Sequence, residues 1–285
     1  MSRNGSAVSA DIPAALRPKT LRISLTLVVI AALTAFAVRA EGQMAPDSSI
    51  VRAVPATDSS VVRAVPYAVG EELVFHAKFG ALPAGKARMR VDGIDTVHGR
   101  RAYHVVFSLD GGIPFFRVHD RYESWIDVET GSSLRHRQEI SEGRYKRSTT
   151  YEIYPERAEF QKNDEPPQPS VSNPLDDGSF IYAVRAAGVR VGETHSDDRY
   201  FRPDRNPVVL KGLREESVTV GAGTFTTTVV RPVIKSGGIF AENGEAQVWF
   251  TNDERRLPVQ VKTKFAKFSL TLSLESVTLG DVAMR

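Results

Sequence analysis

Cysteine is absent from the 285-residue chain. Disulfides, thiolate metal sites, a cysteine nucleophile and a lipid-modified amino-terminal cysteine are thereby excluded, so stability has to come from burial. The longest apolar run, residues 23–38, falls short of the roughly 20 residues that comfortably span a bilayer. The six histidines, His76, His98, His104, His119, His136 and His195, show no pairing at metal-ligand spacing. A G-x-S-x-G elbow is missing, and neither Ser124 nor Ser179 has a sequence-level triad around it. Gly221-Ala222-Gly223-Thr224 leads from one apolar run into another, so the helix amino terminus that a phosphate loop requires is lacking. The sequence thus offers no cofactor, no metal ligand set and no catalytic residue, and a non-catalytic role is the expectation.

Excess positive charge is also missing once the amino terminus is set aside. Residues 1–40 carry Arg3, Arg17, Lys19, Arg22 and Arg39 against Asp11, a local +4, so the overall +3 leaves −1 for the remainder. Nucleic acid is therefore not an expected partner, since that binding needs clustered cations to neutralise phosphates. What residues 1–40 do contain is a basic start, the apolar run and small residues at Ala35, Ala37 and Ala40, the three parts of a secretory signal peptide. Cleavage is expected after Ala37 or Ala40, with an uncut membrane anchor as the rival reading. The expected location is periplasmic or otherwise exported. Residues 41–66 repeat an eight-residue unit, at 48–55 and 59–66, too few copies to build a repeat fold. They read as a linker, or alternatively as a docking strand for an envelope partner.

From Tyr67 onward the pattern is alternation. Leu73, Phe75, Ala77 and Phe79 oppose Val74, His76 and Lys78; Leu257, Val259, Val261, Thr263 and Phe265 oppose Pro258, Gln260, Lys262 and Lys264. A side-chain period of two gives each strand one apolar and one wet face. Residues 243–265 read as a hairpin, with Thr251, Asn252 and Asp253 favouring the reversal and Pro258 placed at a strand start or with its nitrogen facing away from a neighbour. Further strands are expected at 118–127, 134–140, 146–154, 157–161, 198–202, 208–213, 216–220 and 225–234. One helix is expected, 177–187, capped by Asp176 or Asp177 and stopped at Gly188. Its stripe of Phe180, Ile181, Val184 and Ala187 should close one end of the sheet. The architecture expected is all-β with one short helix: a single domain over 67–280, an antiparallel, strongly curved sheet or open half-barrel.

The order of local blocks, Gly70-Glu71, Ala84-Gly85, 120–127 (DRYESWID), 176–185 (DDGSFIYAVR), 215–225 (EESVTVGAGTF) and 247–261 (QVWFTNDERRLPVQV), resembles the bacterial exported family known as domain of unknown function 3108. The resemblance implies an exported, mostly β protein over roughly residues 67–278 and supplies no catalytic residue.

Two loops carry Gly-Gly-Ile beside phenylalanine, 111–116 and 237–240. With Trp249 they make Phe115, Phe116, Ile239 and Phe240 the candidate ligand-binding residues, lips of an apolar cavity, unless the aromatics simply tuck into the core. His119 and Glu123 share a strand face, but i and i+4 lie about 13 Å apart there, so only another strand could complete an acid/base pair. His76 and His104 read as solvated. The function expected is an envelope protein that binds an apolar or lipid-like ligand in its curved sheet. A structural or protein-interaction module of the envelope is the alternative. A polymer hydrolase ranks last, and would call for a buried carboxylate pair facing a groove.

Overall fold

The computed structural model describes residues 65–234, 246–265 and 268–280. The expected leader, nearly all of the expected linker, and Ile239 and Phe240 lie outside these residues. The expected strand alternation becomes 14 strands: β1 (Glu72–Phe79), β2 (Leu82–Val97), β3 (Arg100–Ile113), β4 (Phe116–Asp127), β5 (Ser133–Glu142), β6 (Tyr145–Tyr154), β7 (Glu159–Lys162), β8 (Gln168–Pro169), β9 (Thr194–Asp197), β10 (Val208–Val220), β11 (Gly223–Ile234), β12 (Gln247–Thr251), β13 (Pro258–Phe265) and β14 (Phe268–Thr278). Among the described residues the single α-helix is α1 (Asp177–Ala187), which falls between β8 and β9.

All strands form one sheet in the order β8-β7-β6-β5-β4-β3-β2-β1-β14-β13-β12-β11-β10-β9, and every neighbouring pair is antiparallel. The chain meanders outward through β8, crosses by α1, and meanders back until β14 pairs with β1 at the middle. The two outer ends do not pair as strands. They are bridged by short connections instead: Leu175 N donates to Arg199 O (2.6 Å), Phe201 N to Leu175 O (2.8 Å), and the Ser170 hydroxyl to Phe201 O (2.7 Å). The result is an open barrel, sheet not closed, as the one-faced strands require.

A sheet this wide encloses more space than its own side chains fill, because about eight strands already suffice for a filled barrel. α1 occupies the interior. It contacts β3, β4 and β5, and none of its residues before Ala187 is exposed. The expected stripe of Phe180, Ile181 and Val184 is buried or half-buried, but so are Tyr182 and Arg185 on the other sides. A helix covered all round lies inside the curve rather than closing one end of it.

Three local departures have physical causes. The runs expected at 208–213 and 216–220 are one strand, β10, bent at a bulge between Gly212 and Arg214. Residues 198–202 make only an isolated parallel bridge, Tyr200 with Leu175, instead of the expected strand, and Asn206 takes other backbone groups there: its Oδ1 accepts from Tyr200 N (3.0 Å) and its Nδ2 donates to Asp198 O (2.7 Å). Gly111 and Gly112 are not part of a loop. They sit within β3, paired with Val118 and Arg117, where a Cβ on Gly111 would meet Ala84 O at 1.9 Å and one on Gly112 would meet Phe116 O at 2.1 Å. Close backbone approach, not flexibility, requires glycine there.

Candidate functional site: the interior around the helix

Two apolar clusters meet at α1. One gathers Leu73, Phe75 and Leu272 from the central strands; the other gathers Val184, Val248 and Phe250 from the helix and the carboxy-terminal hairpins, and Ile181 packs against both. At the seam a cavity of about 100 Å³ remains, with Ile181 and Val184 of α1 facing Met89, Phe107, Val248 and Leu272 of the sheet. Its lining is almost wholly apolar, and Thr263 on β13 and Asp177 at the helix start are its polar exceptions besides two tyrosines.

The amino-terminal end of α1 is polar and tightly packed. Asp176 is the N-cap: its Oδ1 accepts from Gly178 N (2.8 Å) and Ser179 N (2.9 Å), while Ser179 Oγ accepts from Asp176 N (2.8 Å), a complete capping box. The same Oδ1 accepts from the Ser124 hydroxyl of β4 (2.6 Å), and Ser133 of β5 lies 2.7 Å from Ser179 Oγ. Asp177 Oδ1 accepts from the Tyr200 hydroxyl (2.5 Å), and its Oδ2 from Gln138 Nε2 (3.2 Å). His136, fully buried, lies with Nδ1 3.0 Å from Glu123 O and Nε2 3.4 Å from Asp177 Oδ2. Burial disfavours its charged form, but the carboxylates of Asp176 and Asp177 outweigh that and raise its pKa above the usual histidine value.

Ser124, His136 and Asp176 are the residue types of a nucleophilic triad, and only the fold brings them together. Their geometry does other work. In a triad the serine hydroxyl donates to one imidazole nitrogen and the carboxylate holds the other. Here the Ser124 proton goes to Asp176, and both groups stand on the Nδ1 side, at 3.3 and 3.6 Å. All three are at most 1% exposed, out of reach of any substrate. The arrangement caps a buried helix. Asp120 and Glu142, the other buried carboxylates on the concave face, do not line the cavity either.

The carboxy-terminal end of α1 is held by charge. Arg185, with no exposed surface, binds Glu71 through two parallel bonds (Nη1 to Oε1, 2.6 Å; Nη2 to Oε2, 2.9 Å). It also donates to Pro66 O (2.8 Å) and Arg255 O (3.2 Å), while Arg256 Nη1 donates back to Arg185 O (2.8 Å). Rings of Tyr67 and Tyr182 lie 5.7 and 5.5 Å from the guanidinium carbon. Sequence reading missed this pair. Its signal was the charged residue within the apolar part of the DDGSFIYAVR block, with a matching Glu71 in the first block.

On the convex face, Glu123 finds its partner across strands, and the partner is His104 rather than His119. His104 Nε2 lies 3.1 Å from Glu123 Oε1, Arg121 donates to the same oxygen (2.7 Å), and His119 pairs instead with Asp110 (3.0 Å). The His104 contact foremost, with help from Arg121, holds the Glu123 carboxyl down at about 2 against the effect of burial. His104 is not solvated: its ring stacks on Trp125 at 4.5 Å and 7°, with Arg135 over the same indole. The row is cross-strand packing of register partners.

The sequence-derived candidates occupy other places. Phe115 is fully exposed at the β3–β4 turn, and Phe116 packs half-buried near Gly143. Trp249 is buried, but its strand neighbours Val248 and Phe250 line the cavity, so its own ring faces the opposite side. There its Nε1 donates to Glu216 (3.0 Å) and Lys262 lies over the ring at 5.0 Å. Among the described residues no group of three potential metal ligands comes together, and no helix is long and apolar enough to cross a membrane.

The model of the family described as "Protein of unknown function (DUF3108)" matches residues 74–275. Among solved structures, the chain is similar to a β-barrel-like protein of domain of unknown function DUF1849 from Brucella abortus, with 9% identity, 76% of this chain and 100% of that chain covered, and a TM-score of 0.51. A provisionally named lipoprotein from Parabacteroides distasonis matches at 12% identity, covering 75% of this chain and 98% of its own, with a TM-score of 0.33. The first of these likenesses supports the barrel-like fold and nothing further. Among curated proteins no significant match is found.

Proposed function

We propose that this chain, which belongs to the DUF3108 family, holds an apolar or lipid-like molecule between α1 and the concave sheet, as a non-catalytic binding protein of the cell envelope. The observation that carries this reading is the apolar cavity at the seam of two clusters. Interiors are normally packed to crystal density, so a void lined by large side chains is a site where a ligand supplies the missing contacts. About 100 Å³ is below the roughly 300–1,000 Å³ of ordinary ligand pockets. It takes a small apolar molecule or the end of an acyl chain, and a whole lipid requires the middle of α1 to move away from the sheet. Export is supported by the basic, apolar and small-residue segments of residues 1–40.

Native mass spectrometry of the protein purified from its own envelope, followed by solvent extraction, tests the reading. A stoichiometric apolar adduct is the expected result. A clean apo mass with no gain on adding envelope lipids overturns it and moves attention to the second reading, a protein-interaction module, which is favoured by the fully exposed Phe115.

A further inference from the structure

Among the described residues the large apolar side chains most open to water are Phe115, fully exposed, Leu82 at 57% and Tyr145 at 49%. They come from three hairpins: Leu82 opens β2 after the β1–β2 turn, Phe115 sits in the β3–β4 turn, and Tyr145 opens β6 after the β5–β6 turn. Alternate turns of an antiparallel meander share one end of the sheet, and the register brings these three together. Gly85 of β2 pairs with Gly111 of β3, Val118 of β4 pairs with Glu142 of β5, and Gly143 N donates to Arg117 O (2.7 Å). The turns at the other end, β2–β3, β4–β5 and β6–β7, expose His98, Glu129 and Glu156 instead. Phe115 follows Pro114 at φ +68°, a conformation that favours glycine or asparagine. Neither packing nor backbone preference accounts for phenylalanine at that tip.

The same end is basic. Lys78, Arg117, Arg144 and Lys146 flank the three turns, all are exposed, and none makes an ion pair among the described residues. Within 78–86, 110–119 and 142–147 the acidic residues are Asp110, held by His119 (3.0 Å), and the buried Glu142. We infer that this rim docks on an anionic bilayer: the three apolar tips enter the boundary between headgroups and acyl chains, and the four cations meet lipid phosphates. A protein partner fits less well, because protein interfaces bury an apolar core and keep charge to the border, whereas here the apolar tips are interleaved with cations of one sign. Docking by this rim needs no occupant in the cavity, so either can fail alone.

The test uses protein purified from its own envelope, with an indole placed at either end of the barrel by Phe115→Trp or by Glu129→Trp in the β4–β5 turn. The buried Trp125 and Trp249 give the background. Vesicles of phosphatidylglycerol and phosphatidylethanolamine, brominated on their acyl chains, quench an indole that enters them. Quenching at 115 and not at 129 is expected, weaker at high salt and weaker still on phosphatidylcholine vesicles. With Arg117, Arg144 and Lys146 replaced by glutamine, about a hundredfold more anionic lipid is expected for the same quenching, at roughly fivefold for each cation. No quenching at 115, equal quenching at 129, or a titration unchanged by the three glutamines overturns the inference; in none of these cases is the cavity function touched. A lipid-free control is independent: Phe115→Gly is expected not to lower Tm, and a lower Tm would show that the ring serves the fold and overturn the assignment.

Discussion

The two ends of α1 and its middle are built on different physics. At the amino terminus a Cβ added to Gly178 would come within 2.4 Å of Ser124 Oγ. A few residues later, Ile181 and Val184 border empty space. Hydrogen bonds and ion pairs are directional and costly to leave unmade when buried, so the polar ends of the helix are drawn to fixed distances from β4, β5 and Glu71. Apolar contact has no preferred direction, so where two clusters meet without a polar demand the wall can stand apart. The helix is pinned by polar contacts at both ends and borders the cavity along its middle.

Breaking the pinned ends should have the largest effects. Arg185→Met leaves Glu71 buried without its counterion and is expected to destabilise by about 3–5 kcal/mol in urea unfolding. The double variant with Glu71→Gln should recover part of that loss; no recovery would mean that the Pro66 and Arg255 contacts, not the charge pair, hold this end. Asp176→Ala removes the cap and the acceptor of the Ser124 proton, and a loss of about 2 kcal/mol is expected, at the upper end for N-caps. A loss below about 0.5 kcal/mol would return this network to the list of sites not built for stability.

The middle should answer in the opposite direction. Val230→Ile adds a methylene to the cavity wall and is expected to raise stability by about 0.5–1 kcal/mol while weakening any apolar adduct. Destabilisation instead would show that the seam has no room, because overpacking a filled core costs about 1–3 kcal/mol. The smallest effect belongs to the convex face. The Glu123 pKa is depressed on folding, so its contribution is present above the usual carboxylate range and is lost as pH falls toward about 2. Glu123→Gln should flatten the pH dependence of unfolding in that acid window and leave neutral-pH ligand binding unchanged; identical acid profiles would show that His104 and Arg121 do not hold the charged form.

Much of the architecture was legible because a strand reports its own environment. Leu73, Phe75 and Ala77 are each at most 1% exposed, as their alternation implies, Pro258 does open β13, and α1 has the expected limits with Asp176 as its cap. The site was far less legible. Phe115 and Phe116 stand out as aromatics beside glycines and Trp249 as a large aromatic on a strand, yet the cavity is walled by ordinary core residues such as Met89 and Leu272, which carry no local mark of bordering a void. His104 reads as solvated because alternation places it on the wet face; Trp125 and Glu123, from the neighbouring strand, cover it.

Alternation, turn residues and the cap by themselves determined an antiparallel β protein with one helix, because those signals act between residues near in sequence. Only the tertiary structure decided that the helix lies inside the sheet, that Glu71 meets Arg185 across 114 positions, and that a gap remains beside Thr263. Those outcomes depend on how far a 14-stranded sheet curls and on which distant side chains then meet. No local pattern encodes a distance between two walls.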